Sequence, residues 1–149
     1  MRDALGGTVS LVIVTVFIVI ALGYMAFNVN YTKAFRMKDK IIALYDDFEG
    51  NCDSACNQAI SDYADTLGYA TGGNLNCPDG YTDVNGMGIY CARQVQAINN
   101  EDEDTIRDIK PKFYYNIITK INLQIPIISN VFDFSFFYIR GDTKSFVLE

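Results

Sequence analysis

The sequence predicts an α+β fold: a long N-terminal helix that crosses a membrane and continues as a stalk, a short second helix, and a C-terminal antiparallel sheet of three or four strands. Three observations predict this fold. No charged residue occurs from Ala4 to Thr32, apolar residues recur every three or four positions through residues 31–48, and residues 112–125 alternate with a period of two. The expected segments are a terminal peptide at 1–7, a transmembrane helix at 8–27, a stalk helix at 28–49 and a head domain at 50–149.

The membrane segment is the strongest signal in the chain. The mostly apolar stretch from Thr8 to Phe27 is twenty residues long, and a helix of that length spans roughly 30 Å, the hydrocarbon thickness of a bilayer. A cleaved secretory signal is the main alternative, because small residues at 21–23 offer a suitable cleavage spacing. However, the stretch is longer than a signal's apolar region and is preceded by the barely basic residues 1–3. The sequence therefore favours a membrane anchor.

The helical pattern continues beyond the membrane. No Pro or Gly interrupts residues 24–49, and Gly50 then supplies a stop signal. Such an amphipathic helix packs either on the chain's own sheet or on the same helix of neighbouring subunits. The residues expected to pack in a helix bundle are Tyr31, Phe35, Ile41, Ile42, Tyr45 and Phe48, with Ala34 and the stem of Lys38 among them.

A second helix is expected from Ser54 to Leu67. Asp53 or Ser54 would cap its N-terminus, and Gly68 would end it in a left-handed conformation. Residues 68–88 then read as an ordered loop held by a cysteine. The side chains of this helix expected to face inward are Ala55, Ala59, Ile60, Tyr63 and Leu67.

The last third of the chain is expected to be β. A first strand is predicted at Ile89–Ala97, and the clearest strand is Lys112–Ile125, because its apolar side chains fall on one face. A hairpin of Phe134–Ile139 and Thr143–Leu148 is expected to turn near Gly141 and Asp142. These strands would pack against the long helix.

Four cysteines predict two disulfides. An even number within forty residues, in a chain without histidine, is typical of disulfide pairing. A zinc site fits less well, because the spacings x3, x20 and x13 lack the paired C-x2-C knuckles of such sites. Disulfides persist in oxidising compartments, so we expect the head outside the cytosol. Spacing leaves three pairings open, and we favour Cys52 and Cys56 each bonding to Cys77 or Cys91.

Charge and composition exclude several functions. Residues 1–40 carry five Lys/Arg and two Asp/Glu, whereas residues 41–149 carry seven and sixteen. An acidic head is repelled by phosphate backbones, which argues against nucleic-acid binding. Without histidine, neither Ser-His nor Cys-His catalysis is available, and no phosphate-binding glycine loop is present. We therefore predict no enzymatic activity, no catalytic residue, no cofactor and no metal.

The order of elements resembles bacterial type IV pilins and the pseudopilins of tight-adherence (TadE-like) systems. The resemblance covers the whole chain and implies cleavage by a prepilin peptidase after Gly6 or Gly7. Pilins usually carry Glu at mature position five, where this chain would have Leu11 or Val12. The resemblance further implies a subunit that leaves membrane lipid to join a surface filament, packing on its own copies or on other pilin-like subunits. The protein would then reside in the cell membrane as a single-pass protein with an extracellular head, or in an extracellular filament.

The basic residues directly after the span conflict with an outside head, because positive charge favours the cytosolic side. The filament hypothesis gives them another role, in which they pair with carboxylates of a neighbouring subunit. The candidate inter-subunit charges are Lys33, Arg36, Lys38, Lys40, Asp46, Asp47 and Glu49. The competing hypothesis is a monomeric extracellular binding or sensor module, whose tether would tolerate replacement by any apolar helix.

Overall fold

The computed structural model describes residues 2–69, 75–86, 88–97, 111–121 and 138–147. Within them it confirms the α+β architecture, with an antiparallel sheet packed against two helices. The helices and strands are α1 (Arg2–Asp47), α2 (Ser54–Leu67), β1 (Thr82–Asp83), β2 (Tyr90–Ala97), β3 (Lys112–Lys120), β4 (Tyr138–Asp142) and β5 (Phe146–Val147).

Helix α1 is continuous from Arg2 to Asp47, so the expected membrane segment and stalk form one rod. It already begins at Arg2, which makes the expected terminal peptide at 1–7 helical from residue 2. It ends two residues before the expected Glu49, because Glu49 and Gly50 adopt positive φ angles of 51° and 81°. The Gly50 amide then donates to the Tyr45 carbonyl at 2.8 Å and closes the last turn.

Helix α2 has the predicted bounds and caps. The Asp53 carboxylate accepts hydrogen bonds from the amides of Ala55 and Cys56, at 3.0 and 3.1 Å, and Gly68 ends the helix with a φ of 61°. Its buried face is Cys56, Ile60 and Ala64. The prediction that Ala55 faces inward was wrong: at 3.6 residues per turn, Ala55 lies about 100° from Cys56 and points to solvent.

The sheet has the order β1-β2-β3-β4, and β5 also pairs with β3. The predicted hairpin near Gly141 was wrong, because β4 and β5 follow one another along the same edge of β3. Residues 134–137 and 148 of its predicted arms lie outside the described residues. Asn116 pairs with Asp142 and Phe113 with Phe146, so three residues of one strand (143–145) face two of the other (114–115). This extra residue is a β-bulge.

Helix α1 closes the bulge. The Lys144 amide, which has no place in the ladder, donates to the Asp46 carboxylate at 3.0 Å, and the Lys144 ammonium lies 3.7 Å from the same carboxylate. Thr143 replaces the missing ladder contacts by exchanging two hydrogen bonds with the Tyr115 backbone. The end of the stalk is thereby bonded to the sheet edge.

The core lies between the sheet and both helices. Ile117 and Thr119 fall on the inner face of β3, as the period of two predicts, and Ile121, directly after the strand, is also buried. The predicted continuation of this strand over residues 122–125 lies outside the described residues. The buried Thr119 hydroxyl donates to the Ala34 carbonyl of α1 at 3.1 Å, so its burial leaves no unpaired group. The α1 residues of this core are Ala34, Met37, Ile41, Leu44 and Tyr45.

The turn after α1 depends on a glycine. A Cβ at Gly50 would lie 2.8 Å from the Phe146 ring, and the φ of 81° is strained for any other residue. We expect Gly50→Ala to lower the free energy of unfolding by about 2–4 kcal/mol, since a left-handed conformation alone costs about 1–2 kcal/mol. Gly86 has a φ of 63° in open space, so Gly86→Ala should show only the conformational part. Urea titration of the full chain in detergent compares the two variants. Equal losses in the free energy of unfolding would contradict the contact between position 50 and the Phe146 ring.

Candidate membrane-anchoring and assembly surface

The N-terminal half of α1 is an exposed apolar rod. It belongs to the stretch Gly7–Asp47, which is long and apolar enough to cross a membrane. Large apolar side chains from Val9 to Met25 stand free of the head on all sides, with Phe17 the most exposed at 71%. A helix that is apolar all round is typical of a membrane span. Gly6 and Gly7, the candidate cleavage residues, lie within the first turns of this helix.

An aromatic ladder, defined as Phe27, Tyr31 and Phe35, continues this surface onto the stalk. Consecutive ring centroids lie 6.2 and 6.4 Å apart, and both pairs are stacked with interplanar angles of 24°. Tyr31 and Phe35 remain 44% and 42% exposed. The Lys38 ammonium lies 4.1 Å from the centroid of Phe35 and covers the upper end of the ladder.

Of the six residues expected to pack in a helix bundle, four are covered by the head of the same chain and two are exposed to solvent. Ile41 and Tyr45 are buried against the head, and Ile42 and Phe48 are partly buried on it, so the head covers these four in the isolated chain. Tyr31 and Phe35 alone stay substantially exposed, because they precede the part of α1 that the sheet and α2 reach. Sequence reasoning missed Met37 and Leu44, which follow Ala34 and Ile41 by three residues each, a spacing that would have indicated the face.

Most of the candidate inter-subunit charges have contacts inside the chain. Lys33 donates to the Gly68 carbonyl at 3.1 Å, Lys38 pairs with Asp39 at 3.0 Å, and Lys40 lies 5.9 Å from the Tyr63 ring centroid. Asp46 bonds Lys144, as described above. In the part of the chain that the structure describes, three of the seven side chains have no hydrogen bond, ion pair or cation–π contact: Arg36, Asp47 and Glu49.

The four cysteines form two disulfides, but the favoured pairing was wrong. Cys52 bonds Cys56, with Cα atoms 5.1 Å apart, and Cys77 bonds Cys91, with Cα atoms 5.8 Å apart. Tyr90 and Ala92 face the helices, so the alternation along β2 turns Cys91 to the opposite face of the sheet. Cys91 therefore cannot reach the helical half, and the zinc alternative is also wrong.

Buried phenols keep the junction between head and stalk uncharged. The hydroxyls of Tyr45 on α1 and Tyr90 on β2 are 3.1 Å apart, and burial raises the pKa of each. Tyr69, at the end of α2, donates its hydroxyl to the Lys120 carbonyl, and burial raises its pKa to about 12. All three phenols are neutral at physiological pH, as ordinary phenols are, and the raised pKa keeps them protonated further into the alkaline range.

Within the described residues, no group of three or more His, Cys, Asp or Glu side chains is arranged to hold a metal ion. The most extensive exposed feature of the described chain is instead the apolar rod with its aromatic ladder, set beside a compact disulfide-bonded head. No protein family model matches this chain, and no curated protein or solved structure matches it significantly.

Proposed function

We propose that this chain is a pilin-like structural subunit of a bacterial surface filament or of its assembly system. Residues 8–27 hold it in the cell membrane, and the head lies on the extracytoplasmic side. The observation that supports this function best is the aromatic ladder, whose upper rings are exposed beyond the membrane segment. Burying an exposed ring against another subunit would favour association by roughly 25 cal/mol per Å² of apolar surface removed from water.

The height of the ladder distinguishes a lipid-facing role from a protein-facing one. At 1.5 Å per residue, Tyr31 lies about 6 Å and Phe35 about 12 Å beyond Phe27 along the helix axis. A tyrosine at the first height is common in the aromatic belt of membrane interfaces. Phe35 has no polar atom and lies above that belt, so a neighbouring helix is its more favourable partner.

The three unpaired charges fit a staggered assembly. Arg36 precedes Asp47 on the same helix by 11 residues, or about 16 Å of helix rise. Glu49 lies in the turn that directly follows this helix. Parallel copies shifted by that distance would place the guanidinium of one opposite the carboxylates of the next. Unshifted copies would place Arg36 beside Arg36, which is unfavourable.

The disulfides support an extracytoplasmic head. Both bonds lie in the domain that follows the membrane segment, and such bonds form and persist outside the reducing cytosol. The contacts of Lys33 and Lys38 within the chain give two of the four basic residues after the span a local structural role. Their charge is therefore weaker evidence for a cytosolic head.

A tethered extracellular binding or sensor module is the second candidate. It is favoured by the burial of Ile41 and Tyr45 against the chain's own sheet, which completes the core without a partner. The two functions differ in what the anchor must do. Replacing residues 8–27 by an unrelated Leu/Ala helix should abolish filaments if the helix packs on other subunits, and should leave a tethered module working.

The ladder gives a more specific test by electron microscopy of cells that express the chain with its native assembly system. We expect the double variant Tyr31→Ser and Phe35→Ser to lose filaments. If each buried ring contributes about 1.5 kcal/mol or more, association weakens by at least about a hundredfold. Tyr114→Ser, on the outer face of β3, is the matched control and should assemble normally.

Both variants should retain a folded head, checked by near-ultraviolet circular dichroism. Normal filaments from the double ladder variant would contradict the packing role of the ladder. Monomers of the unmodified chain, with no filaments in cells, would favour the tethered module.

A further inference from the structure

A groove of about 350 Å³ lies where α1 passes the C-terminal end of α2. It is open to solvent, and two of its six side chains are cations while none is a carboxylate. The lining residues are Asn28, Val29, Thr32, Lys33, Arg36 and Leu67. In a chain with a net charge of -6, such a basic groove is favourable for an anion.

The groove lies just above the membrane segment. Val29 and Thr32 follow Phe27 by two and five residues, which places them about 3 and 8 Å beyond the hydrocarbon boundary. Arg36 begins about 14 Å above it, but side chains on a helix tilt toward the N-terminus and so toward the membrane. The cations can therefore reach the height at which phospholipid phosphates lie.

The two cations have donors available. The Lys33 ammonium donates one hydrogen bond to the Gly68 carbonyl at 3.1 Å, which fixes it at the groove and leaves two donors. The Arg36 guanidinium is exposed and has no hydrogen bond or ion pair to any described residue. Its planar group of five donors matches a phosphate.

The rest of the groove suits the less polar part of a lipid. Val29 is 56% exposed and lies with Leu67 among the lining residues. The Asn28 amide and the Thr32 hydroxyl donate back to the α1 carbonyls of Tyr24 and Asn28, at 2.9 and 2.8 Å. The polar recognition of a ligand accordingly falls to Lys33 and Arg36.

We propose that this groove binds the phosphate headgroup of an anionic phospholipid in the leaflet next to the head. The proposal rests on the membrane anchoring that is part of the proposed function, and not on filament assembly. It gives Lys33 and Arg36 a reason to lie on the outer side. Basic pockets at the cytoplasmic side of membrane helices hold anionic headgroups, and the same attraction would act in the leaflet next to the head.

The groove is separate from the aromatic ladder. Arg36 lies about 100° around the helix from Phe35, because consecutive residues differ by that angle at 3.6 residues per turn. Substitutions in the groove can thus be tested without altering the exposed rings.

The test uses the full chain in detergent micelles, with lipid binding measured by native mass spectrometry. The probes are phosphatidylglycerol, zwitterionic phosphatidylcholine and inorganic phosphate. We expect phosphatidylglycerol to bind roughly 25-fold more tightly than phosphatidylcholine, at about fivefold for each cation. Lys33→Gln with Arg36→Gln should remove this preference, and Lys112→Gln, an exposed cation at the far end of β3, should retain it.

Arg36→Gln alone provides a variant that breaks no contact within the described chain, so its expected fivefold loss cannot come from a disturbed fold. Equal binding of both lipids by the unmodified chain would overturn the proposal, as would an unchanged preference in the double variant. Inorganic phosphate that competes at the same concentration as the lipid would show a general anion site and also overturn it. If the chain enters micelles but shows no lipid preference, the groove proposal is wrong, whereas the membrane anchor and the proposed filament function are unaffected.

Discussion

Replacing Cys77 and Cys91 together by alanine should lower the free energy of unfolding of the head by about 3 kcal/mol, the loop-closure value for a 15-residue ring. The bond has a sequence separation of 14, and it ties the segment before β1 to the centre of the sheet. Cys91 is fully buried, so the loss of its sulfur adds a packing defect to the entropic effect. Urea titration of the full chain in detergent measures the loss.

The matched control is the other bond. Cys52 and Cys56 close a ring of only five residues, for which the same relation gives about 2 kcal/mol. The expected order is therefore a larger loss for the Cys77 and Cys91 pair than for the Cys52 and Cys56 pair. A smaller loss for the longer ring would contradict the role assigned to the bond between Cys77 and Cys91.

Together the two bonds contribute on the order of 5 kcal/mol, against a total stability of about 5–15 kcal/mol for a typical domain. A head without these bonds would lack a third or more of that stability. The stability of the head therefore depends on conditions that keep both disulfides oxidised. Retention of full head stability under reducing conditions would contradict this conclusion.

Ile41→Ala should destabilise the head by about 2–5 kcal/mol, the range for removing a large aliphatic side chain from a packed core. Ile41 is 0% exposed and lies in the cluster that joins α1 to the sheet and α2. The resulting cavity would separate the stalk from the head at the middle of their contact. Denaturation of the full chain in detergent, monitored by the near-ultraviolet signal of the buried tyrosines, measures the effect.

The same helix offers a control with the same side chain. Ile20 is 64% exposed in the apolar N-terminal half of α1, so Ile20→Ala should change head stability by less than about 0.5 kcal/mol. Equal effects at both positions would mean that the head does not depend on its packing against the stalk.

Local patterns predicted the elements well. The length of α1, the capping of α2 by Asp53 and Gly68, and the inner face of β3 all follow from spacing and end signals that neighbouring residues supply. Apart from the orientation of Ala55 on α2, the failures concern contacts between distant segments. The disulfide pairing depends on which face of the sheet Cys91 occupies, and the course of β4 and β5 depends on a bulge whose free amide finds Asp46 of the helix.

The candidate surfaces show the same limit. The apolar stripe on the stalk was visible in the sequence, but the division between exposed Tyr31 and buried Tyr45 depends on where the head begins to cover α1. The groove could not be foreseen, since Leu67 and Gly68 approach Lys33 only through the antiparallel placement of α2. Periodicity identifies a face, whereas tertiary packing decides what covers it.

The hydrogen bonds that Thr119 and Lys144 make to α1 have a mechanical consequence. They attach the sheet to the helix at Ala34 and Asp46, two points about 18 Å apart along the axis. A force applied to the head along the helix axis is carried by both hydrogen bonds and by the apolar layer between them at the same time. The head can therefore slide along α1 only if all of these contacts break together. Under such a force, we expect the head to transmit the tension to α1 instead of separating from it one contact at a time.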